Sequence, residues 1–121
     1  MFELSVKSSF SAAHRIKGYQ GKCSKIHGHN WTVELKVRTD ELNEIGMSVD
    51  FAMLKNILND ITEKLDHTDL NENQLLSGRN PTAENLAMII YNLAKKRIGN
   101  IAEVVSVTVW ESPNSAVTYR E

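Results

Sequence analysis

The stretch His27-Gly28-His29-Asn30-Trp31-Thr32-Val33-Glu34-Leu35-Lys36-Val37-Arg38 decides the fold, because polar and apolar side chains alternate along it. A period of two residues is typical of a strand with one buried face. Residues 2–14 repeat the pattern, with Phe2, Leu4, Val6, Phe10 and Ala12 on one face. We therefore predict two long strands, over residues 2–14 and 27–38, joined by a loop from about Arg15 to Ile26.

The next segment changes to the spacing of an amphipathic helix. After a connecting loop over residues 40–49, apolar residues follow 3-4-3 spacing from Phe51 to Leu65, and Asp50 is placed to cap the helix. Residues 68–80 are mostly polar and are predicted as a second loop. The pattern indicates one helix between two loops.

A second helix is predicted after Asn80-Pro81, since proline suits the first turn of a helix. Its apolar face runs from Ala83 to Ala94. The helix is predicted to end with the basic residues Lys95, Lys96 and Arg97 in its last turn and Gly99 just beyond it. Basic side chains and glycine are both favourable at a helix C-terminus.

Strand alternation returns at Val105, Val107 and Val109, followed by a turn over residues 112–115 and a strand over residues 116–120. The order β-β-α-α-β-β predicts an α+β fold, a four-stranded antiparallel sheet with both helices on one face. Such an open sheet has two unpaired edges, which favours closure through neighbouring subunits.

Composition limits the class of protein. A chain of 121 residues predicts one domain, residues 1–121, and a net charge of −1 gives no reason to expect a nucleic-acid partner. A single cysteine cannot form an internal disulfide, which favours a reducing compartment. We find neither a signal peptide at the start nor an apolar run that spans a bilayer, so we expect a cytoplasmic protein without a membrane partner.

The histidines are grouped rather than scattered. His27 and His29 share the face of Trp31, and His14 has the parity of Phe10, so a hairpin brings the three imidazoles to one end of the sheet. Three imidazoles and an open fourth position are the donor set of catalytic zinc. The alternative is that His27 and His29 are polar residues ending a strand, and a bulge in either strand breaks the parity argument.

Cys23 lies in the loop before His27, flanked by Lys22, Ser24 and Lys25. A free cysteine is often a small buried hydrophobe, but this polar, cationic setting is poor for burial. Nearby cations and a metal favour the thiolate, which can accept a proton. We therefore predict a chemical role for Cys23.

Asp66-His67 follows the first helix, and two interpretations stay open there. Spacing alone favours ordinary polar chemistry at a helix end. The functional interpretation is that Asp66 orients His67 for proton transfer, as a carboxylate does in a catalytic triad.

Glu111 continues the face of Val107 and Val109, where parity predicts a core side chain. A buried carboxylate needs partners, and a ligand with two adjacent N–H donors would satisfy both oxygens. The alternative is a frayed strand end that exposes Glu111 to water.

Together these motifs resemble the 6-pyruvoyl-tetrahydropterin synthase family, specifically its bacterial 6-carboxy-tetrahydropterin branch. The motifs that carry the resemblance occur in order along almost the whole chain: Ser11-Ala12-Ala13-His14, Cys23-x-x-x-His27-Gly28-His29, Asp50-Phe51, Leu65-Asp66-His67, Pro81-Thr82-Ala83-Glu84-Asn85-Leu86 and Trp110-Glu111. The three residues between Cys23 and His27 favour the carboxy branch, because the animal pyruvoyl enzymes typically have a longer spacer.

The resemblance implies a role for each matching residue. In the family's pattern, zinc is bound by His14, His27 and His29, Cys23 is the general base, and Asp66 and His67 are the second proton-transfer pair. Glu111 is expected to anchor the pterin ring, helped by Thr82 and Glu84. Lys25, Arg15 and Arg120 are candidates for holding a triphosphate.

The resemblance also implies the fold and the reaction. The fold is expected to be the tunnelling fold, in which subunits join their sheets into a barrel, commonly as a hexamer of two trimers with active sites between subunits. Glu111 could then serve a neighbour's zinc centre. The implied substrate is 7,8-dihydroneopterin triphosphate, converted to 6-carboxy-5,6,7,8-tetrahydropterin with release of acetaldehyde and triphosphate, on the route to queuosine.

Three alternatives stay open at this point. The product could be 6-pyruvoyl-tetrahydropterin, or the chain could be a zinc-bound pterin-binding module without turnover. Retention of Cys23, Asp66 and His67 together argues against the second. A zinc hydrolase should have a general-base carboxylate near its ligands, as in His-Glu-x-x-His, and no such motif is present.

Overall fold

The computed structural model describes all residues, 1–121, and contains five strands and two α-helices. In chain order the elements are β1 (Phe2–His14), β2 (His27–Thr39), α1 (Phe51–Glu63), β3 (Thr68–Asp69), α2 (Ala83–Ile98), β4 (Glu103–Ser112) and β5 (Ser115–Tyr119). Short 3-10 turns lie at Lys22–Ser24, Leu70–Glu72 and Gln74–Leu76.

The sheet has the order β3-β1-β2-β4-β5, so the prediction of four strands was wrong by one. The additional strand, β3, is only two residues long and runs parallel to β1, pairing Thr68 with Ala12 and Asp69 with Ala13. The other pairings are antiparallel, as predicted. A two-residue strand has no periodicity of its own, so the segment looked like part of a polar loop.

Both helices pack on one face of the sheet, as predicted, and enclose a single apolar core. Val6 and Phe10 of β1 and Trp31 and Leu35 of β2 enter this core, and the rings of Phe10 and Trp31 stack with centroids 5.7 Å apart. Burying apolar side chains of this size stabilises the fold by about 1.5–3 kcal/mol each. The face of the hairpin that carries the histidines is therefore the rigid, buried one.

The helix ends have the capping residues that the sequence supplies, with one correction. Asp50 caps α1 by accepting a hydrogen bond from the backbone N–H of Ala52 at 2.8 Å. Pro81, predicted in the first turn of α2, instead precedes the capping residue Thr82, whose side chain accepts from the N–H of Asn85. Gly99 ends α2 with a φ of 57°, a conformation that glycine adopts readily.

Two bulges alter the predicted alternation of β4. The register between β2 and β4 shifts after Lys36, so Val104 is buried and Val105 is only half-buried, contrary to the prediction for Val105. A second irregularity falls between Trp110 and Ser112, in the pairing of β4 with β5. An extra residue in one strand of a pair bends that strand and re-aims its side chains.

The two ends of the sheet differ in character. β1 and β2 bring His14 opposite His27 at one end and Phe2 opposite Thr39 at the other. A groove of about 1070 Å³ at the second end is lined by both chain ends and by the ion pair of Arg38 with Glu103. Neither helix is long and apolar enough to cross a bilayer.

Candidate metal centre

Three histidines converge at the end of the β1–β2 hairpin, as predicted. His14 lies opposite His27 in the register, and His29 lies opposite Ala12, two residues before His14 on β1. The ring centroids are 4.6 Å apart for His14 and His27, 4.7 Å for His27 and His29, and 5.2 Å for His14 and His29. One nitrogen from each ring lies within 4.8 Å of the others, so the three can share one ion.

Backbone carbonyls orient two of these rings. His14 Nδ1 lies 2.7 Å from the carbonyl oxygen of Pro81, and His27 Nδ1 lies 2.7 Å from that of Lys25. A carbonyl can only accept, so we assign the proton to Nδ1 in both rings and the free lone pair to Nε2. This is the arrangement of metal-binding histidines, which donate through one nitrogen and ligate through the other.

The residues present fit a metal ion. His14 Nε2 and His29 Nε2 are buried and have no hydrogen-bond partner within the chain, which is costly for polar atoms. A divalent ion would satisfy both lone pairs at once. Three neutral imidazoles suit zinc and several other transition metals.

Glu111 adds a negative charge beside the histidines of its own chain. It lies between Trp110 and Ser112, where the β4–β5 register is irregular. Its carboxylate oxygens are 3.4 Å from His29 Nε2 and 4.0 Å from His14 Nε2, close enough for charge attraction but without a hydrogen bond to either nitrogen. The side chain is 35% exposed, so it is neither in the core, as parity alone predicted, nor fully in water.

Burial lowers the pKa of two of the histidines below the ordinary value of 6.5. For His14 the main cause of the lowered pKa is loss of solvation, which the bond to Pro81 and attraction to Glu111 oppose and repulsion from His27 reinforces. For His29 burial again lowers the pKa most, and attraction to Glu111 raises it part of the way back. Both rings are therefore biased toward the neutral form that binds metal.

Asp66 and His67 form a hydrogen-bonded pair at the outer edge of β1. Asp66 Oδ2 lies 2.9 Å from His67 Nδ1, and Asp66 Oδ1 accepts from the N–H of Ser11 at 2.8 Å. The N–H of His67 also donates to the carbonyl of Ser11, at 2.6 Å. The bond from Ser11, followed by that from His67, lowers the pKa of Asp66, so this carboxylate stays ionised.

His67 presents its ring to solvent from an unusual backbone conformation. Its φ is 56°, in the left-handed region that few non-glycine residues occupy, and its side chain is 83% exposed. A shallow groove of about 480 Å³ is lined by His67 together with Gly28 and His29 of β2. The Asp66–His67 pair is thus beside the strand ends that carry the metal ligands.

Cys23 lies in the 3-10 turn Lys22–Ser24, with a free and half-buried thiol. It is outside the three-histidine cluster. Its carbonyl oxygen accepts a hydrogen bond of 2.7 Å from the N–H of Ile16, across the loop that joins β1 to β2. The thiol is therefore not sealed in the core, and its position depends on that loop.

The other predicted site residues are more dispersed. Thr82 is the N-cap of α2, Glu84 is exposed in the first turn of that helix, and Lys25 contacts His27 through its backbone carbonyl. Arg15 directly follows His14 and is exposed. Arg120 lies in the groove at the opposite end of the sheet, because β5 runs antiparallel to β4 and leads away from Glu111. Within one chain, Arg120 is therefore not beside the histidines.

Sequence reasoning missed several residues that support this site. The carbonyl of Pro81 orients His14, the backbone of Ser11 holds Asp66, and the amides of Asn71 and Asn80 hold the chain just after His14. Backbone groups have no sequence signature. The two asparagines lie in a polar stretch where asparagine is common, so their composition gave no signal.

Similarity to known proteins agrees with this geometry. Residues 3–121 match the model of the family described as 6-pyruvoyl tetrahydropterin synthase. A Bacillus subtilis protein named 6-carboxy-5,6,7,8-tetrahydropterin synthase is 35% identical over 127 aligned residues, covering 98% of this chain and 85% of the relative. A Synechocystis protein of the same name is 36% identical over 116 residues, covering 92% and 87%.

A solved structure also matches the fold. The 6-pyruvoyl tetrahydropterin synthase of Caenorhabditis elegans superposes with a TM-score of 0.89 at 28% identity, covering 99% of this chain and 95% of that one. The match therefore spans the hairpin, both helices and the final strands. With a family model covering nearly the whole sequence and relatives above 30% identity, the chain belongs to the 6-pyruvoyl tetrahydropterin synthase family.

Proposed function

We propose that this chain is a zinc-dependent 6-carboxy-5,6,7,8-tetrahydropterin synthase. Its substrates are 7,8-dihydroneopterin triphosphate and one water molecule, and its products are 6-carboxy-5,6,7,8-tetrahydropterin, acetaldehyde and triphosphate. The observation that carries the proposal is the cluster of His14, His27 and His29, two of whose buried Nε2 atoms have no partner in the chain. The names of the relatives support the choice of product.

His14, His27 and His29 would hold the zinc ion through Nε2. Bound there, the ion supplies Lewis-acid polarisation of the hydroxyl groups on the substrate side chain. The carbonyls of Pro81 and Lys25 keep the rings of His14 and His27 in the tautomer that leaves Nε2 unprotonated. The protein's part is to present these lone pairs in the neutral state, which the lowered pKa of His14 and of His29 favours.

Proton transfer is assigned to Cys23 and to the Asp66–His67 pair. Cys23, as thiolate, takes a proton from the substrate side chain. Asp66 accepts from Nδ1 of His67, which fixes the ring and leaves Nε2 to exchange a proton with the substrate. Protons moved between side chain and ring allow loss of triphosphate. Water then adds to the side-chain carbon that stays on the ring, the bond from this carbon to the next breaks, and the two-carbon fragment leaves as acetaldehyde.

Substrate recognition is assigned to Glu111, assisted by Thr82 and Glu84. A carboxylate with two free oxygens matches the adjacent N–H donors along the edge of a pterin ring. Glu111 is half-buried and lies close to the histidines, so a ring held there would direct its side chain toward the metal ligands. Lys25 and Arg15, both exposed near this end of the sheet, are the local cations for the triphosphate.

We further propose that the chain assembles through its sheet edges, as a homohexamer of two trimers whose sheets form a barrel. β1 pairs with β3 only at Ala12 and Ala13, which leaves most of its outer edge without a strand partner. β5 is the other edge. Active sites between subunits would allow Arg120 of one chain to reach the site of another. Native mass spectrometry should then give six copies of the 13.6-kDa chain.

We assign the reaction to the cytoplasm and to the route toward queuosine. The single free cysteine suits a reducing compartment, and neither helix could span a membrane. The spacing Cys23-x-x-x-His27 supports the carboxy product over the pyruvoyl product.

The test is to incubate the purified, zinc-loaded protein with 7,8-dihydroneopterin triphosphate and to identify the products by mass spectrometry. We expect 6-carboxy-5,6,7,8-tetrahydropterin together with acetaldehyde. Triphosphate and 6-pyruvoyl-tetrahydropterin without acetaldehyde would assign the chain to the pyruvoyl reaction instead. Binding of the substrate with no turnover would contradict the proposal altogether.

A matched variant tests the role of the thiol. Cys23→Ala should keep one zinc ion per chain and lose turnover by about a hundredfold or more, which is the contribution of a general base. Since the thiol lies outside the histidine cluster, zinc content should not change. Full turnover in Cys23→Ala would remove Cys23 from the mechanism while leaving the metal centre intact.

A further inference from the structure

The chain continues past the end of β1 as residues 15–17, whose backbone is hydrogen-bonded on both sides. We propose that Asn71 and Asn80 are positioning residues for Cys23, acting through the backbone of this segment. The part of this proposal that concerns turnover rests on the role of Cys23 in the proposed function. The structural part stands on hydrogen bonds alone.

Asn71 pairs with both backbone groups of Arg15. The N–H of Arg15 donates to Asn71 Oδ1 at 2.8 Å, and Asn71 Nδ2 donates to the carbonyl of Arg15 at 3.1 Å. Asn71 is held in turn by Asp69 of β3, whose side chain accepts from the N–H of Asn71 at 3.0 Å. The carboxamide thus continues, with side-chain atoms, the pairing that β3 gives to Ala12 and Ala13.

Asn80 does the same for Lys17. The N–H of Lys17 donates to Asn80 Oδ1 at 3.0 Å, and Asn80 Nδ2 donates to the carbonyl of Lys17 at 2.8 Å. The backbone carbonyl of Asn80 accepts from Asn85 Nδ2 and from the N–H of Thr82, each at 2.8 Å. Asn80 is therefore anchored to the start of α2 while it holds Lys17.

Ile16, between these two residues, faces the other way. The N–H of Ile16 accordingly donates to the carbonyl oxygen of Cys23 at 2.7 Å. Residues 15–17 thus bond the two asparagines through Arg15 and Lys17, and Cys23 through Ile16, so fixing Arg15 and Lys17 restrains the backbone of Cys23.

The choice of residue type supports this interpretation. Only a carboxamide offers both an acceptor and N–H donors on one short side chain, and it can therefore satisfy the N–H and the carbonyl of one residue together. Aspartate would lose the donor, and alanine would lose both. Without these bonds the segment after His14 would be an ordinary surface loop with little to define its position.

The experiment compares Asn71→Ala and Asn80→Ala with Asn73→Ala. Asn73 is a matched control, because it lies in the same polar stretch and also bonds backbone groups, but these are Lys64 and Leu75 rather than the segment after β1. Each variant is prepared with zinc and checked for metal content and thermal unfolding. Turnover, the alkylation rate of Cys23 by iodoacetamide, and amide hydrogen exchange are then measured.

We expect Asn71→Ala and Asn80→Ala to keep the zinc and to lose about tenfold or more in kcat with little change in KM, since small displacements of a reacting group cost large factors in rate. Alkylation of Cys23 should become faster, and the amides of residues 15–17 should lose protection. Asn73→Ala should lower thermal stability without changing any of these. Unchanged alkylation in both variants, or an equal change in Asn73→Ala, would overturn the proposal.

A measurement on the unaltered protein covers the case in which the variants do not fold. The paired hydrogen bonds of Asn71 to Arg15 and of Asn80 to Lys17 are called the clamp here. In the zinc-loaded protein the amides of Arg15, Ile16 and Lys17 should exchange slowly, and exchange at the rate of an unfolded chain would rule the clamp out. Alkylation and exchange need no substrate. A protein that makes no pterin product would therefore refute the proposed function while the clamp could still be confirmed or refuted.

Discussion

His14 Nδ1 donates a hydrogen bond of 2.7 Å to the backbone carbonyl of Pro81, and this bond decides how the first strand contributes to the metal centre. The ring is 1% exposed, so the Pro81 carbonyl rather than bulk water is the hydrogen-bond partner of Nδ1. Its Nε2 is thereby aimed at His27 and His29 as a lone-pair donor. The start of α2 and the end of β1 are coupled through one imidazole.

Removing this ring should remove the metal. His14→Ala should bind zinc at least about a hundredfold more weakly, because loss of a ligand exceeds the 10–100-fold effect of losing a ligand's own support. It also leaves the carbonyl of Pro81 without its partner, at a cost of about 1–3 kcal/mol in the free energy of unfolding. Zinc titration by calorimetry checks the first effect, and urea unfolding of the metal-free form checks the second. His67→Ala, which removes a histidine outside the cluster, should bind zinc as the unaltered protein does.

Acidification should destabilise the metal-free protein. Burial lowers the pKa of His14 and of His29 below 6.5, so between that lowered pKa and 6.5 the unfolded chain binds more protons than the folded one. The free energy of unfolding should therefore rise with pH across this window and fall as the pH drops below about 6.5. Urea unfolding in chelator at several pH values measures the slope. A free energy that stays constant from neutrality down through this whole window would contradict the assignment of these two rings as buried and neutral.

Asp66→Asn should separate the structural and chemical roles of this side chain. The amide oxygen can still accept from the N–H of Ser11, as Asp66 Oδ1 does at 2.8 Å, so thermal stability should change little. The amide replaces the carboxylate oxygen that accepts from His67 Nδ1 and so no longer orients this ring for proton transfer, and kcat should fall by about a hundredfold or more. Product formation and thermal unfolding are measured on the same preparation. Asp66→Ala, as the comparison, should lose both stability and turnover.

The left-handed backbone of His67 predicts an unusual order of stabilities. With φ at 56°, His67→Gly should be more stable than His67→Ala by about 0.5–1 kcal/mol. Glycine avoids the steric cost of a Cβ in this conformation, and the greater entropy of glycine in the unfolded chain offsets only part of that gain. Both variants lack the imidazole and should be equally inactive. Ser77, with a φ of 50°, gives a matched site away from the chemistry. The free energy of unfolding should again be higher for Ser77→Gly than for Ser77→Ala, and turnover should be unchanged in both.

The hairpin and its three histidines could be predicted because alternation along β1 and β2 is nearly perfect. Two strands of the same parity, joined by one loop, leave a single way to place His14 beside His27 and His29. The caps Asp50 and Gly99 were predictable for a similar reason, since each acts within one turn of its own helix. Strand alternation and helix-capping preferences were sufficient wherever the interacting residues are close together in the sequence.

What could not be predicted depends on distant parts of the chain. β3 forms only because it can pair with Ala12 and Ala13 of β1. The burial of Val104 in place of Val105 follows from the register shift opposite Lys36. The clamp of Asn71 and Asn80 joins residues 56 and 63 positions apart along the chain. None of these pairings leaves a periodic pattern in one segment, so one sequence read alone does not contain them.

The groove lined by both chain ends has a practical consequence. Met1 and Glu121 lie at the Thr39 end of the sheet, roughly 40 Å along β1 from His14 at about 3.3 Å per residue. A fluorophore or a polyhistidine purification label attached at either end would be remote from its own chain's imidazoles. In the proposed hexamer, where Arg120 of this groove reaches a neighbour's site, such a label would instead report on the contact between chains.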